Sequence, residues 1–245
     1  MRHGVALGAV LLLLASMGRA EGIVAAGYDE PVERYGHFAL GRPHEYARAW
    51  ARTDAGRSVV LELAEDEVFE DLAPRLVQFT EDGPTELLAI VSSRSGGARL
   101  ALLGLRGDTL EVVARSAAIG TPHRWLNPVG FADLDDDGVA EIAAVTTPHI
   151  GGVLRVYRRD GGRLVQIAAL GGFSNHVYRS PELALSRPAR VDGRMQLLVP
   201  DVTRTSVRVI ALEGDRLVET YRCAFDAPIT GPEPLRTCEE RATTR

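Results

Sequence analysis

Between Asp133 and Glu141 the chain reads DLDDDGVAE, five carboxylates in nine residues, and the apolar run IAAV follows at once. Counted from Asp133, the acids Asp133, Asp135, Asp137 and Glu141 stand at positions 1, 3, 5 and 9, and Gly138 at position 6 permits a sharp turn. Alternate side chains of a tight loop can converge on one point, and the carbonyl of Val139 can join them. Such a set is all oxygen and largely anionic, which suits a hard cation, Ca²⁺ better than the more firmly hydrated Mg²⁺. The competing reading is a solvated acidic turn. Mutual repulsion among the carboxylates, relieved only by a cation, tells against it. An EF-hand is excluded, because position 12 is Ala144 and the residues after it are apolar and β-like rather than helical.

A second group of candidates is basic and aromatic: His123, Arg124 and Trp125 in IGTPHRWLNP, His149 in TTPHIGG, and His176, Tyr178 and Arg179 in GGFSNHVYRS. These side chains suit recognition of a ligand or partner, or the packing of links between structural units. Three histidines also suit a metal, but their separations have no ligand-type spacing. No G-x-S-x-G, H-E-x-x-H, phosphate-cradling glycine loop or reactive cysteine accompanies them.

The elements that must position these residues repeat. RSVVLELAEDEVFEDLA (57–73), ARLALLGLRGDTLEVVA (98–114), GVLRVYRRDGGRLVQIA (152–168) and SVRVIALEGDRLVETYR (206–222) each read as alternating run, turn, alternating run, the pattern of a β-hairpin. Leu110, Leu164 and Leu217 recur at spacings of 54 and 53. Another pair of runs precedes each hairpin, with Glu45, Glu86, Glu141 or Gln196 just before the second run. Even EYARAWAR (45–52), the one stretch with some helical character, falls on a strand position. Four short strands per unit and four units over residues 35–222 match radially arranged blades. The all-β expectation is therefore a β-propeller of about four four-stranded blades, with a sixteen-strand sandwich as the rival.

The segment VGFADLDDDGVAEIAAV (129–145) resembles the FG-GAP/VCBS repeats of integrin-α-like β-propellers, which carry a D-x-D-x-D-G-x-x-D loop between the first two strands of a blade. The resemblance implies that Asp133, Asp135, Asp137 and the Val139 carbonyl ligate Ca²⁺, with Glu141 standing where the family has Asp. Loops in the other units depart from the motif, so one structural Ca²⁺ site is expected. In such a blade the calcium loop and the links bearing His123, His149 and His176 emerge on opposite faces. The recognition face is then the histidine face.

Residues 1–20 have a basic start, a thirteen-residue apolar stretch and small residues before Glu21, the layout of a secretory signal peptide. Its removal takes away Arg2 and Arg19 and shifts the net charge from −5 to −7, which argues against a nucleic-acid partner. No later stretch is apolar enough for a membrane span. All 28 basic residues are arginine, a compositional bias rather than a motif. Cys223 and Cys238, in a secreted or periplasmic setting, are expected to pair and to tie down the tail 223–245 behind a repeat domain at 21–222; two free thiols are the alternative. The chain thus reads as a secreted protein- or glycan-binding or scaffold module. A hydrolase or lyase using the histidine face is the alternative.

Overall fold

The computed structural model describes residues 21–244, so the signal peptide expected at 1–20 lies outside the described residues. The strands in chain order are β1 (Ile23–Pro31), β2 (Tyr46–Thr53), β3 (Ser58–Glu62), β4 (Glu67–Phe69), β5 (Arg75–Val77), β6 (Glu86–Ser93), β7 (Gly97–Arg106) and β8 (Thr109–Ser116). They continue as β9 (Leu126–Ala132), β10 (Glu141–Thr146), β11 (Gly152–Asp160), β12 (Arg163–Phe173), β13 (Arg187–Val191), β14 (Arg194–Pro200), β15 (Ser206–Glu213) and β16 (Arg216–Ala224). One helix, α1 (Glu233–Thr243), follows.

The chain is all-β, as its alternation demands, but it is not a four-bladed propeller. Twelve strands form one mixed sheet, in the order β1-β2-β4-β6-β7-β8-β12-β11-β10-β9 with β3 on β2 and β5 on β6, and β13-β14-β15-β16 form a second sheet. The expectation fails at the unit boundaries. β2 pairs with β1, β3 and β4, and β4 then pairs with β6, so the first two units share one ladder. β8 meets β12 in a short parallel pairing at Arg115 and Ser116, which joins the next meander to that sheet. A strand period specifies local hairpins. It leaves open which edge strand pairs with which, and here open edges paired with one another.

Within the units the repeat is real. β7–β8, β11–β12 and β15–β16 are antiparallel hairpins closed by two-residue loops, GD, GG and GD, whose first glycine has φ of +57°, +54° and +64°. That left-handed first position is what a twisted two-residue hairpin requires. Each hairpin also carries a register shift at the same place, after Leu102, Val156 and Val209, again 54 and 53 residues apart. The hairpin expected at 57–73 does not form, because β3 and β4 both pair with β2 rather than with each other.

The polar residue ahead of each second run is buried in all four units: Glu45, Glu86, Glu141 and Gln196. Three of them hold the backbone of the loop before them, which satisfies groups that burial would otherwise orphan. Glu45 accepts the N–H groups of Gly36, His37 and Phe38, Glu141 that of Leu134, and Gln196 donates to the Val191 carbonyl. Glu86 instead pairs with Arg159.

Cys223 and Cys238 are joined by a disulfide. The tail expected as a stapled loop contains α1, begun after Pro232 and packed through Leu235, Cys238 and Ala242 against Val207, Val209 and Leu198 of the second sheet.

Candidate functional site

β9 and β10 carry a chemically distinct cluster at each end. Strand β9 leads from Trp125 to Asp133, and β10 leads from Glu141 to Thr147. Seven extended residues separate the ends of β9 by about 20 Å.

At the acidic end, ligand atoms of Asp133, Asp135 and Glu141 lie within 4.8 Å of one another. Asp137 is not among them: its Oδ1 accepts the Val139 N–H at 2.8 Å, while Asp133 accepts the N–H groups of Asp137 and Gly138. The structure therefore gathers three of the four carboxylates expected as ligands. Arg158 of β11 reaches in from the neighbouring strand, with Nη2 2.6 Å from Asp135 Oδ2 and 2.7 Å from Glu141 Oε1. Burial raises the Glu141 pKa, and the Leu134 N–H and Arg158 oppose that rise. Asp135 Oδ1 is buried with no hydrogen-bond partner. The donor set fits a divalent cation through Asp133, Asp135 and Glu141, with that oxygen still to be satisfied, while Arg158 already supplies one positive charge.

At the other end, His37, His123, Arg124, Trp125, Thr147, His149, Ile150 and Tyr178 line a pocket of about 230 Å³. Of the residues expected on this face, His123, Arg124, Trp125, His149 and Tyr178 are brought together. His176 is fully buried behind them, and Arg179 stands outside the pocket with its guanidinium over the Tyr178 ring. Trp125 forms the floor, only 1 % exposed, its ring parallel to that of His149 and its Nε1–H donating to the Glu70 carbonyl.

The links that carry these residues are locked to one another. Asn127 and Asn175 each donate to the other's backbone carbonyl at 3.1 Å, which ties the Trp125 link to the His176 link. The Thr147 N–H donates to the Trp125 carbonyl. Phe38, His123, Thr147 and Arg179 all have φ between +50° and +63°, a region costly for non-glycine residues and one a β-branched threonine rarely enters. Strain of this kind persists only where surrounding contacts impose it; His123 and Thr147 line this pocket, and Phe38 and Arg179 directly follow the lining residues His37 and Tyr178.

Hydrogen bonding fixes the histidine protonation. His176 Nε2 lies 2.8 Å from the Ser180 carbonyl, which can only accept, so that nitrogen carries the proton. Burial lowers the His176 pKa against that bond, so the ring is neutral and its Nδ1 accepts from His149 Nε2 at 2.8 Å. His149 is itself pushed down to about 3 by burial and then by the neighbouring charges of His176, His37 and Arg204. It is a neutral imidazole with its Nδ1 lone pair free. Tyr35, its hydroxyl accepting the His123 N–H at 2.6 Å, is raised to about 12 by burial and by Glu70.

Sequence reasoning missed His37, Tyr35 and Glu70. A signal existed for the first: His37 stands in the link before the first unit, the place that His123 and His176 hold before later ones.

Among the described residues no helix is long and apolar enough to cross a membrane. No family model matches this chain, and no curated protein matches it. The likeness to FG-GAP/VCBS repeats rests on the residues of the 129–145 segment alone.

Proposed function

We propose that this chain is a secreted or periplasmic binding or scaffold module whose recognition site is the pocket of His37, His123, Trp125, His149 and Tyr178. One observation carries the reading. Four segments distant in the sequence meet in a concave site with an aromatic floor, fixed imidazole donors and acceptors, and backbone strain imposed by the surrounding fold. Its partner is a protein or a glycan that presents one side chain or one sugar to the pocket, since the volume lies below the usual size of a drug-like ligand site.

At the far end of β9–β10, Asp133, Asp135 and Glu141 hold a structural Ca²⁺ in this reading. The ion fixes the loop and takes no part in recognition. The disulfide agrees with an oxidising compartment.

The test is binding to glycan and peptide arrays by the wild type, by His149→Ala and by Tyr178→Ala, each checked for fold by circular dichroism. Loss of a wild-type signal in the folded variants supports the reading. Signals unchanged in both variants overturn it. A hydrolase or lyase is favoured only by the orienting bond between His149 and His176, the arrangement of a general base. Turnover on a hit from the arrays, lost in His176→Gln, would establish it.

A further inference from the structure

The histidine pocket does not end at its own rim. A second hollow of about 450 Å³, bounded by Phe38, Gly41, Arg42 and Arg179, adjoins it, and His37 and Tyr178 line both. The two hollows form one groove, with the 46 % exposed Tyr178 at its middle. No aspartate or glutamate lines either hollow. The charged lining is arginine alone, Arg124 in the first and Arg42 and Arg179 in the second. In a chain with 33 acidic against 28 basic residues, such a groove is a local reversal of charge.

The three arginines differ in what neutralises them. Arg42 is ion-paired with Glu33 and lies over the Phe38 ring. Arg124 and Arg179 have no acid partner among the described residues: Arg124 Nη1 reaches the His123 carbonyl at 3.3 Å, and the Arg179 guanidinium lies over Tyr178. Each hollow therefore holds one guanidinium without a counter-charge. Arg179 is exposed and Arg124 half-buried, so both are accessible as they stand. Two carboxylates, Glu45 and Glu70, lie fully buried behind the wall. Glu45 accepts the N–H groups of Gly36, His37 and Phe38, and Glu70 accepts the Ala39 N–H and the Ser92 hydroxyl, with His37 Nδ1 2.8 Å away. Their oxygens are engaged inside the wall rather than presented to a ligand.

The backbone of the groove is closed to a peptide strand. The N–H groups of Gly36, His37 and Phe38 are held by Glu45, and those of His123, Thr147 and Arg179 donate to the Tyr35 hydroxyl and to the Trp125 and Ala39 carbonyls. An added peptide strand needs free main-chain groups. What remains for a ligand is side chains: guanidinium forks, imidazole nitrogens and the Tyr178 ring. That set suits a sugar chain, whose hydroxyls bond to imidazoles, whose rings pack on an aromatic face and whose carboxylates meet arginine.

We propose that the groove binds an acidic polysaccharide, with uronate residues in both hollows and carboxylates of separate residues on Arg124 and Arg179. The proposal rests on the reading of the histidine pocket as the recognition site and names the ligand class of that site.

The test is calorimetric titration of the full chain with oligogalacturonate and with alginate oligomers, set against methyl-esterified oligogalacturonate, which keeps the sugar backbone and removes the charge. At least one acidic oligomer should bind, more weakly as NaCl is raised, and the ester of oligogalacturonate should bind about tenfold more weakly than its acid. Arg124→Gln and Arg179→Gln should each weaken the acid form about five- to tenfold, and the double variant should no longer distinguish acid from ester. Arg42→Gln should matter less, because Glu33 already shares its charge. Arg52→Gln, an exposed arginine at the far end of β2, should change nothing and so excludes a mere net-charge effect. Where Arg124→Gln fails to fold, Arg124→Lys keeps the charge, loses the two-pronged hydrogen bond and should still weaken binding. Binding of neither acidic oligomer, or wild-type affinity in the folded arginine variants, overturns the proposal. So does arginine-dependent binding of polyglutamate in place of the oligomers, which would make the ligand an acidic peptide. The two readings fail separately. If a neutral glycan binds and is lost in Tyr178→Ala, the acidic ligand falls and the recognition site stands; if array signals survive in both His149→Ala and Tyr178→Ala, the recognition reading falls as well.

Discussion

The two ends of the β9–β10 hairpin solve opposite problems. The acidic end concentrates like charge within nine consecutive residues and relieves it with backbone N–H groups and one arginine from the next strand. The histidine end gathers rings from four distant segments; burial holds His149 and His176 uncharged, and hydrogen bonds satisfy the ring nitrogens they turn towards each other and the Ser180 carbonyl. A charged cluster can be built locally, because a tight loop brings neighbours together. A neutral, desolvated cluster needs walls, and walls come from the rest of the fold.

The largest expected effect breaks the histidine end. Trp125→Ala removes a fully buried ring, its contacts with two histidines and its bond to the Glu70 carbonyl. It should cost about 3–5 kcal/mol in urea denaturation and abolish array binding. At the acidic end, Arg158→Met leaves the buried Glu141 carboxylate without its cation. About 3 kcal/mol should be lost at pH 7, somewhat below the cost for a wholly buried pair because Arg158 is partly exposed. If Ca²⁺ takes the same carboxylates, millimolar Ca²⁺ should restore more of the melting temperature in this variant than it adds to the wild type. Equal shifts in both proteins would show that Arg158 and the ion do not compete.

Acid should separate the two ends by sign. The His149 pKa is held far below its ordinary value, so its contribution is complete above pH 6.5 and is lost as pH falls towards about 3. The Glu141 pKa is raised above 4.5, so its contribution is present below that value and is lost as pH rises through the folded-state pKa. Denaturation between pH 7 and pH 5 should show His149→Gln less acid-sensitive than the wild type. Glu141→Gln should lose the opposite contribution. Matching profiles for both variants would erase the contrast. The smallest effect is expected at Asp137→Asn, an exposed acid that serves only a turn N–H, which should change stability by less than about 1 kcal/mol and leave Ca²⁺ binding by Asp133, Asp135 and Glu141 in place.

Much of the local structure was legible. The alternation and GD or GG turns predict the β7–β8, β11–β12 and β15–β16 hairpins, because side-chain period and turn chemistry act over a few residues. The buried polar residue ahead of each second run, glutamate in three units and Gln196 in the fourth, also announces itself as out of place in an apolar stretch. The propeller expectation failed at β2, β4 and β6, where edge strands of different units paired. That choice depends on which surfaces meet, and no local pattern encodes it. The helix α1 was hidden by a segment rich in proline and threonine; burial of Leu235, Cys238 and Ala242 and the Cys223–Cys238 bond hold it.

By itself the sequence determined the three hairpins with GD or GG turns and the composition of the acidic loop, both set by neighbours along the chain, and it offered Cys223 and Cys238 as the one possible disulfide pair. Only the tertiary structure decided that Arg158 stands among those acids and Asp137 does not, and that His37 joins His123 and His149 while His176 passes behind. Those relations cross strands and links, where packing and desolvation rather than local propensity select the partner.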